Sequence, residues 1–383
     1  MKILLVGEYS RLHNSLKEGL EFLGHAVTII GDGDLFKNYP VDISIKPKIL
    51  HFNWFTRKCK VAFYKLTSID LALYESAFRF YWHQKKLKNY DVVQFINSNA
   101  LKTPLFLQKK QLDYLKKNNK KLFLCACGTD TPIIEYLLKN KMKYHILTPV
   151  LLGEHSKETF KFEFSYTSCK YKKYYAYFEN LLDGIIPSDI DYFLALQNNL
   201  KTIQLIPNPI NTERLLKKSV NLSAKIQIFL GINSMTELKK GCHYFEKALK
   251  VIAEKYKGKV KITVTRNLPY RQYIQHYNNA HILLDMVYAY DQGYNALEAM
   301  AKGKVVFTGA EQEFLDYYKL KENEVCINAL PSVVYLVEKL SWLIENPSEI
   351  ERIGKNASAF VEKEHHYVHI AQKYLKVYET AFR

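Results

Sequence analysis

The chain has 383 residues, of which 48% are hydrophobic and 24% are charged. This length is sufficient for two domains, and the composition excludes an intrinsically disordered protein. No apolar run reaches the roughly 18–20 residues that a membrane-spanning helix needs. The N-terminal sequence MKILLVGEYS has no signal-peptide cleavage region. We therefore expect a folded protein in the cytoplasm.

The formal net charge of +17 is concentrated in one part of the chain. Residues 51–150 contain 18 Lys and Arg against 6 Asp and Glu, whereas the other 283 residues contain 37 against 32. A basic segment of this size indicates an anionic partner, such as a nucleic acid, a phosphorylated substrate or an acidic membrane surface. The alternative is a solvated Lys-rich surface without a partner.

Short apolar runs alternate with amphipathic segments from the N-terminus onward. KILLVG predicts a first strand, and leucines at helical spacing predict a helix that Gly24 ends. These leucines are Leu12, Leu16, Leu20 and Leu23. The next predicted elements are strand AVTII, a helix over 70–87, strand VVQFI, a helix over 104–117, and strands LFLCAC, DGIIP and IQLIP. Strands that alternate with helices predict a parallel, doubly wound α/β sheet.

The same alternation restarts in the second half. IQIFLG, KVKITVT, ILLDM and KVVFT predict four strands, with helices over 241–256, 269–278 and the segment from 291 between them. Two successive units predict two Rossmann-like domains that face a central cleft. Pro207 and Pro209 cannot continue a strand, so we place the boundary there. The predicted units are domains 1–207 and 208–367 and a C-terminal helix over 368–383.

Ligands of open parallel sheets bind at the carboxyl ends of the strands. GEYSRLHNS (7–15) follows the first strand, but Tyr9 and Leu12 occupy positions where the G-x-G-x-x-G motif needs glycine. A nicotinamide dehydrogenase is therefore poorly supported. CGTD follows a later strand and ends in Asp130. Asp130 is a candidate catalytic residue, and the alternative is a plain N-cap of the following helix.

LGINSMTELKKGCHYF (230–245) contains a candidate phosphate site. Gly231 ends a strand, and Lys240 with Gly241 leads into the start of a helix. Unsatisfied helix amides and the helix dipole favour an anion at this position, and the lysine adds a formal charge. The alternative is that Lys239 and Lys240 are merely solvated.

DQGYNALEAMAKGKVV (291–306) places one carboxylate, Glu298, in an otherwise small and apolar helix. Gly293 permits a tight turn, so we expect the helix to begin near Tyr294 with its amides pointing into the cleft. A carboxylate one turn further can accept hydrogen bonds from both hydroxyls of a ribose. A diphosphate at the helix start and a ribose at Glu298 together describe a nucleoside diphosphate. The predicted nucleotide-binding residues also include Asp291 and Asn295. The alternative is a solvent-exposed Glu298.

These motifs resemble those of family 4 glycosyltransferases, which are retaining enzymes of the GT-B fold. The resemblance rests on ALEAMAKGKVV, with YDVVQF and CGTD before it, IPNPIN at the domain connection, and LKKG. It implies that Glu298 binds the ribose of the donor and that Lys240 binds its diphosphate. It also implies that the C-terminal domain holds the nucleotide sugar, that the N-terminal domain holds the acceptor, and that the last helix crosses back to the first domain.

Three positions depart from the family pattern. The family Glu that touches the donor sugar is Tyr290 here, and the adjacent Asp291 is its candidate replacement. The family Arg after the strand glycine is Ile232, and Arg266 is the candidate source of that charge. The His before the GTD-like turn is Cys127.

The predicted function is transfer of a hexosyl group from a nucleoside diphosphate sugar to a glycan or lipid-linked acceptor, with retention of anomeric configuration. The resemblance suggests surface polysaccharide biosynthesis, as in lipopolysaccharide, capsule or exopolysaccharide. No metal or cofactor is predicted, because Lys240, Arg266 and helix amides can stabilise the leaving diphosphate. The alternatives are a nucleotide-sugar epimerase of the same fold and a non-catalytic protein that binds nucleotide sugars or nucleic acid. We favour no nucleic acid partner, since the sequence contains no recognised nucleic-acid module.

Aromatic residues are interleaved with the basic residues of 51–150. They are Phe52, Trp54, Phe55, Phe63, Tyr64, Phe78, Phe80, Tyr81 and Trp82. Cations beside such rings suit the interface of an anionic membrane. This predicts a peripheral protein on the inner face of the cell membrane, a lipid-linked acceptor, and a contribution from the lysines in 102–121. The alternative is that the aromatic residues form core and the lysines only solubilise the protein.

Overall fold

The computed structural model describes residues 1–34, 37–51, 53–215 and 225–382. The first half of the chain contains a six-stranded sheet. Its strands are β1 (Lys2–Val6), β2 (Ala26–Gly31), β3 (Ile43–Ser44), β4 (Val92–Phe95), β5 (Lys121–Ala126) and β6 (Gly184–Pro187). They are all parallel, in the order β3-β2-β1-β4-β5-β6. This is the strand order of a Rossmann sheet.

The second half contains a five-stranded sheet. Its strands are β7 (Ile226–Ile232), β8 (Val260–Arg266), β9 (Ile282–Leu284), β10 (Val305–Thr308) and β11 (Ile327–Asn328). They are also parallel, in the order β11-β10-β9-β7-β8. The prediction of two Rossmann-like doubly wound sheets is confirmed.

Helices connect the strands of both sheets. Those of the first half are α1 (Leu12–Phe22), α2 (Trp54–Thr67), α3 (Leu71–His83), α4 (Leu105–Asn118), α5 (Thr131–Leu138), α6 (Thr148–Leu151), α7 (Lys161–Ser165), α8 (Cys169–Leu181) and α9 (Ile190–Leu196). Those of the second half are α10 (Glu237–Lys240), α11 (Cys242–Lys255), α12 (Tyr270–Asn279), α13 (Tyr294–Ala301), α14 (Gln312–Tyr318), α15 (Val333–Glu345), α16 (Pro347–Glu364) and α17 (Tyr367–Thr380). Within the described residues, no helix combines the length and apolar character needed to cross a membrane.

The apolar runs form strands because both faces of each sheet are covered. In β1, every residue after Lys2 is fully buried, and a fully buried aliphatic side chain contributes about 1.5–3 kcal/mol. On α1, Leu12, Leu16 and Leu20 are buried as predicted. Gly24 follows the helix with a φ of +83°, a conformation that favours glycine.

The prediction of a strand at IQLIP is wrong. Only Thr202 bridges to Ile185 of β6, and residues 203–209 have no regular structure. A continued parallel ladder would next need the amide of Pro187, and proline has none to donate. The Ile206 amide instead donates to the Pro187 carbonyl at 3.0 Å, so the segment leaves the sheet.

The last helix crosses back to the first sheet, as predicted. α17 packs along α1, where Gly19 lies against Tyr367, and a Cβ at Gly19 would lie 2.4 Å from the Tyr367 carbonyl oxygen. The Tyr378 hydroxyl donates to Oε1 of Gln94 in β4 at 2.6 Å. The C-terminal helix is therefore part of the first half's core.

Two segments cross between the halves and are hydrogen-bonded to each other. The Ile210 amide donates to the His365 carbonyl at 2.7 Å, and the Tyr367 amide donates to the Ile210 carbonyl at 3.1 Å. The His365 ring also bonds to the Asn208 carbonyl at 2.9 Å. The boundary placed at 207/208 lies in the first crossing segment and stays a prediction. Part of the predicted connection, residues 216–224, lies outside the described residues.

Candidate functional site

α13 begins at Tyr294, as predicted, at the carboxyl edge of the second sheet. Gly293 precedes it with a φ of −74°, which is available to any residue. Glycine is therefore not required here for a tight turn, contrary to the expectation from the sequence. A Cβ at Gly293 would have no heavy atom within 4 Å. No side chain of the described residues caps this helix, so its first amides face an open position.

Glu298 lies one turn into α13. The structure describes no residue that donates a hydrogen bond to its carboxylate, and the residue is partly buried. Burial raises its pKa, while the positive charges of Lys302, Arg11 and Lys37 oppose that shift. Arg11 and Lys37 belong to the first half. Glu298 is therefore a carboxylate with open acceptor positions between the two halves.

Tyrosine side chains surround this carboxylate. For Tyr39, Tyr270, Tyr277 and Tyr294, burial is the largest cause of a raised pKa, and the charge of Glu298 comes next. Their phenols are therefore neutral at pH 7. The Tyr277 and Tyr294 hydroxyls already donate to backbone carbonyls, both at 2.7 Å. Tyr39 comes from the first half, which again places Glu298 at the boundary.

Lys240 ends the short helix α10, immediately before α11. Its ammonium donates to Oδ1 of Asp285 at 2.8 Å. Burial alone would lower the Lys240 pKa, but the charge and hydrogen bond of Asp285 outweigh burial and raise it. Gly241 has a φ of +64°, and a Cβ there would lie 2.3 Å from a methyl carbon of Val287. Glycine therefore lets the Lys240 backbone approach the end of β9.

Asp285 connects Lys240 to α13. Its Oδ1 also accepts a hydrogen bond from Nδ2 of Asn295 at 2.9 Å, and Oδ1 of Asn295 accepts one from the Tyr273 hydroxyl at 3.0 Å. The predicted residues Lys240 and Asn295 are thus brought together by a third residue that the sequence analysis did not select. The available signal was a single carboxylate directly after the apolar run ILL.

Lys239 is not merely solvated either. Its ammonium pairs with Glu163 of the first half, whose side chain is buried. The two adjacent lysines therefore have different partners: Lys239 contacts the opposite half, and Lys240 contacts the second half's own strand end.

Asp291 forms part of a reciprocal contact between the halves. Its carboxylate accepts hydrogen bonds from the amides of Ile190 (3.0 Å) and Gln292 (2.6 Å). In return, the Asp191 carboxylate accepts from the amides of Tyr290 (3.1 Å) and Asp291 (3.0 Å). Burial raises the pKa of both carboxyl groups. The role of Asp291 toward a donor sugar stays a prediction.

Tyr290 occupies the position of the family Glu and belongs to a second contact between the halves. Its hydroxyl accepts a hydrogen bond from the Lys143 amide at 2.7 Å. The Lys143 ammonium pairs with Glu311 at 2.7 Å, and the Tyr144 hydroxyl donates to the same carboxylate. Glu311 was not predicted from the sequence, since Lys143 and Tyr144 lie more than 160 residues away along the chain.

Tyr294 itself joins the halves. Its hydroxyl donates to the Pro209 carbonyl at 2.7 Å and lies 2.5 Å from the Ser15 hydroxyl of α1. The first residue of α13 is therefore held by the crossing segment and by the first half.

Arg266 lies at the end of β8, the edge strand of the second sheet. Its half-exposed guanidinium pairs with Glu237 and Glu246, the latter at 2.9 Å. The structure does not bring it into the network of Lys240 and Asp285. Its predicted catalytic role stays a prediction.

Asp130 is buried at the start of α5, where it is the N-cap. Its carboxylate accepts hydrogen bonds from the Thr131 amide (2.8 Å), the Ser98 amide (3.0 Å) and the Ser98 hydroxyl (2.7 Å). Burial raises its pKa to about 6. The capping alternative is confirmed as a structural fact, and the catalytic role stays a prediction.

Glu8 is a buried carboxylate that the sequence analysis did not select. It follows β1, and its Oε2 accepts from the amide (2.8 Å) and side chain (2.5 Å) of Asn14. Its Oε1 is buried with no hydrogen-bond partner among the described residues. Burial raises its pKa to about 7. The only sequence signal was an acid in the loop after the first strand.

Among the described residues, no group of three or more His, Cys, Asp or Glu side chains is arranged to hold a metal ion. Independence from a metal stays a prediction.

Comparison with known proteins gives a family match for part of the chain. Residues 234–376 match a family model described as glycosyl transferase-like. This region contains Lys240, Asp285 and Glu298. The match spans most of the second half of the chain. No curated protein matches the sequence significantly.

Solved structures resemble the whole chain. Sucrose-phosphate synthase from Thermosynechococcus elongatus is 14% identical with a TM-score of 0.60, covering 100% of this chain and 99% of that one. HepE from Anabaena, solved in complex with UDP-glucose, is 13% identical with a TM-score of 0.57, covering 99% and 100%. A protein described as a UDP-N-acetylglucosamine 2-epimerase from Listeria monocytogenes is 11% identical with a TM-score of 0.54, covering 100% and 96%. At these identities the likenesses show the fold, which is GT-B, as predicted.

Proposed function

We propose that this protein is a retaining glycosyltransferase of the family 4 type. It transfers a hexosyl group from a nucleoside diphosphate sugar to a glycan or lipid-linked acceptor in surface polysaccharide biosynthesis. The observation that carries the proposal is the partly buried Glu298 carboxylate at the boundary between the halves, which has no donor among the described residues. Its open acceptor positions suit the two hydroxyls of a ribose.

The diphosphate fits beside this carboxylate. The first amides of α13 are uncapped by any described side chain, and the position next to Gly293 is open. Lys240 supplies a positive charge at the same carboxyl edge and is oriented by Asp285. Helix amides and a lysine are a favourable environment for phosphate oxygens. HepE, which has the same fold, was solved with UDP and with UDP-glucose, and this supports a nucleotide sugar as donor here.

The same groups assist the reaction. When the bond between the anomeric carbon and the diphosphate breaks, its electron pair leaves with the diphosphate. The acceptor oxygen then bonds to that carbon, and its proton passes to an oxygen of the departing diphosphate. The Lys240 ammonium and the α13 amides stabilise the charge that develops on the leaving group, and they are in place before the reaction.

The acceptor faces this site from the first half. Tyr39, Arg11 and Lys37 of that half lie close enough to Glu298 to interact with its charge. Contacts such as those of Tyr294 with Ser15 and Pro209 close the two halves around the donor position. An acceptor bound at the carboxyl edge of the first sheet would meet the anomeric carbon across this boundary.

The experiment is incubation with a panel of nucleotide sugars, with and without glycan and lipid-linked acceptors. A transferase releases a nucleoside diphosphate in an acceptor-dependent manner, and NMR of the product reports the anomeric configuration. An epimerase would return a nucleotide sugar with an altered sugar, and a binding protein would return the donor unchanged. Inversion at the anomeric carbon would contradict the retaining assignment.

A matched pair of variants ties any activity to this site. Glu298→Gln should lower activity, whereas Glu254→Gln should not. Glu254 is an exposed residue near the carboxyl end of α11, the helix that runs away from Lys240. Equal activity in both variants would contradict the assignment of Glu298 to donor binding.

A further inference from the structure

Helix α2 buries none of its residues against the rest of the described protein. It is nevertheless a well-defined helix, because its ends are hydrogen-bonded. The Thr56 amide donates to Oδ1 of Asn53 (2.9 Å), the Asn53 amide donates to Oγ1 of Thr56 (3.2 Å), and the Ser68 amide donates to the Tyr64 carbonyl (2.8 Å). A helix of 14 residues is marginal in water by itself. α2 therefore has the features of an element that needs a partner.

The exposed side chains of α2 are large and apolar. Trp54 is 68% exposed, Phe55 is 66% exposed and Leu66 is 85% exposed. Phe55, Cys59, Ala62 and Leu66 follow one another at helical spacing and form a single stripe, all exposed. A soluble surface does not normally present such a continuous apolar stripe without a binding function.

The neighbouring helix α3 also exposes large apolar side chains. Phe78 and Trp82 are exposed on successive turns, with ring centroids 6.1 Å apart. Lys60 of α2 and Asp70 before α3 are 3.6 Å apart, so the two helices are adjacent. We call the exposed apolar side chains of these helices the α2–α3 face. It consists of Trp54, Phe55, Val61, Phe63, Tyr64, Leu66, Phe78 and Trp82.

The structure corrects part of the sequence-based expectation about this region. Phe80 is fully buried and Tyr81 is partly buried, so they belong to the core. Phe52 lies outside the described residues. Several lysines in 102–121 pair with acidic side chains. These pairs are Lys102 with Asp32, Lys116 and Lys121 with Asp183, and Lys120 with Asp91. α2 adds the exposed lysines Lys58 and Lys65 to this basic surface and contains no acidic residue.

We propose that the α2–α3 face docks onto the surface of an anionic lipid bilayer, with the aromatic and leucine side chains inserted at the headgroup level. Interfacial helices combine such an apolar surface with basic residues. Lys58 shows the required arrangement, because its ammonium lies 4.0 Å from the centroid of the Trp54 ring. Charge complementarity selects this partner, since α2 exposes Lys58 and Lys65 and contains no acidic residue.

Two other partners fit less well. In a dimer through α2, the basic residues of one copy would face those of the other, which is unfavourable. A nucleic acid would attract the basic residues but would leave Val61 and Leu66 without an apolar environment. The bilayer interface accommodates both kinds of side chain. This proposal does not depend on the assignment of a transferase activity, because binding to lipid is measured without donor or acceptor.

Tryptophan fluorescence tests the proposal directly. The chain contains three tryptophans, and two of them, Trp54 and Trp82, lie on the α2–α3 face. The third, Trp342, is in α15 of the second half. With vesicles of phosphatidylcholine and phosphatidylglycerol that carry brominated acyl chains, we expect quenching of wild type. Trp54→Phe/Trp82→Phe, which retains only Trp342, should bind but should not be quenched. Quenching of Trp342 instead would overturn the proposal.

Vesicle co-sedimentation with matched variants measures how much these side chains contribute to lipid binding. Phe55→Ser/Leu66→Ser should lower the partition coefficient about 100-fold, or about tenfold for each side chain. The control Phe22→Ser/Leu200→Ser removes one exposed Phe and one exposed Leu elsewhere in the first half and should bind like wild type. Lys58→Gln/Lys65→Gln should lower binding about fivefold for each charge removed, whereas Lys250→Gln/Lys257→Gln should not.

Circular dichroism verifies that all variants are folded, and sedimentation velocity reports their oligomeric state. Binding should require phosphatidylglycerol and weaken as salt is added. Equal binding to vesicles of phosphatidylcholine alone would overturn the electrostatic part of the proposal. No vesicle binding at low salt would overturn the whole proposal, as would an α2-dependent dimer or an RNA complex that forms in its place. None of these outcomes bears on donor binding.

Discussion

Both halves of the protein place carboxylates at the carboxyl edges of their sheets, but these carboxylates have different partners. In the first half, Asp130 accepts three hydrogen bonds from Ser98 and Thr131 at the start of α5. In the second half, Glu298 accepts none from the described residues, and α13 begins without a side-chain cap among them. The Asp130 carboxylate is therefore satisfied by donors of its own chain, whereas the Glu298 carboxylate can still accept hydrogen bonds from a ligand.

This difference distinguishes a structural carboxylate from a candidate binding group. The Glu298 carboxylate is only partly buried, and a ligand that donates to it gains a charge-assisted hydrogen bond without displacing a donor of the described residues. Asp130 offers a ligand no comparable gain, because its own chain already provides the donors. We therefore expect changes in the second half to affect ligand binding and catalysis, and changes in the first half to affect stability.

The largest effect is expected for Lys240→Ala. If the ammonium stabilises the departing diphosphate, kcat should fall about 100- to 1,000-fold, as when one preorganised donor is removed from an active site. Steady-state kinetics with the preferred donor measure this. A normal kcat would remove Lys240 from the mechanism.

Arg266→Ala and Lys250→Ala serve as comparisons for that result. Arg266 is already paired with Glu237 and Glu246 at the sheet edge, so its loss should affect turnover less than the loss of Lys240. Lys250 is an exposed lysine of α11, and its loss should leave kcat unchanged. If Arg266→Ala were the more damaging variant, the charge at this site would have been assigned to the wrong residue.

The first half should respond to pH through Glu8. Burial raises the Glu8 pKa to about 7, so the native state holds a proton there that the unfolded chain, with an ordinary carboxyl pKa, has released. The stabilisation is complete below about pH 4.5 and is lost as pH rises through 7, for a total of about 3 kcal/mol. In Glu8→Gln, the decrease in the free energy of unfolding between these pH values should be smaller by that amount.

Urea unfolding of wild type and variant at pH 4.5 and pH 8 measures this difference. Glu254→Gln, which removes an exposed carboxyl group, should show the same pH dependence as wild type. An unchanged pH dependence in Glu8→Gln would mean that Glu8 is ionised in the native protein. It would then resemble Glu298 more than Asp130, and the contrast between the halves would fail at this residue.

Glu298→Gln should weaken donor binding. The loss of a charge-assisted hydrogen bond to a ribose diol costs about 1.5–3 kcal/mol, or roughly 10- to 150-fold in affinity. Titration calorimetry with the preferred nucleoside diphosphate measures it, and the unfolding free energy should not decrease, since no described residue donates to this carboxylate. Equal affinity for variant and wild type would contradict the ribose assignment.

Local sequence signals predicted the positions of Glu298 and Lys240. Gly293 and Gly241 mark helix starts, and the apolar runs before them mark the preceding strands. The partners could not be predicted in the same way. Asp285 meets Lys240 across 45 residues of chain, and the amides held by Asp191 are about 100 residues away. Such contacts depend on how the sheets pack, which no short motif encodes.

The fold, by contrast, could be predicted because buried strands leave a local pattern in the sequence. A strand covered on both faces, such as β1, needs a continuous apolar run, and that requirement is visible in the sequence. IQLIP is also apolar, yet Pro187 on the neighbouring strand prevents the ladder from continuing. α2 was not predicted because none of its residues is buried, and a helix without a core-facing side gives a weak pattern. Its aromatic residues suggested core or membrane without distinguishing the two.

The smallest effect is expected for Asp130→Ala. Loss of the N-cap of α5 should lower the free energy of unfolding by about 1–2 kcal/mol, while the affinity for the nucleoside diphosphate should stay unchanged because the donor site lies in the other half. Asp130→Asn is the matched control, since asparagine retains an oxygen that can accept from the Thr131 amide. Urea unfolding and calorimetry on both variants provide the test. A large loss of kcat in Asp130→Asn at unchanged stability would instead support the catalytic role predicted for Asp130 from the sequence. In that case, a carboxylate that already accepts hydrogen bonds from its own chain could not be classed as purely structural.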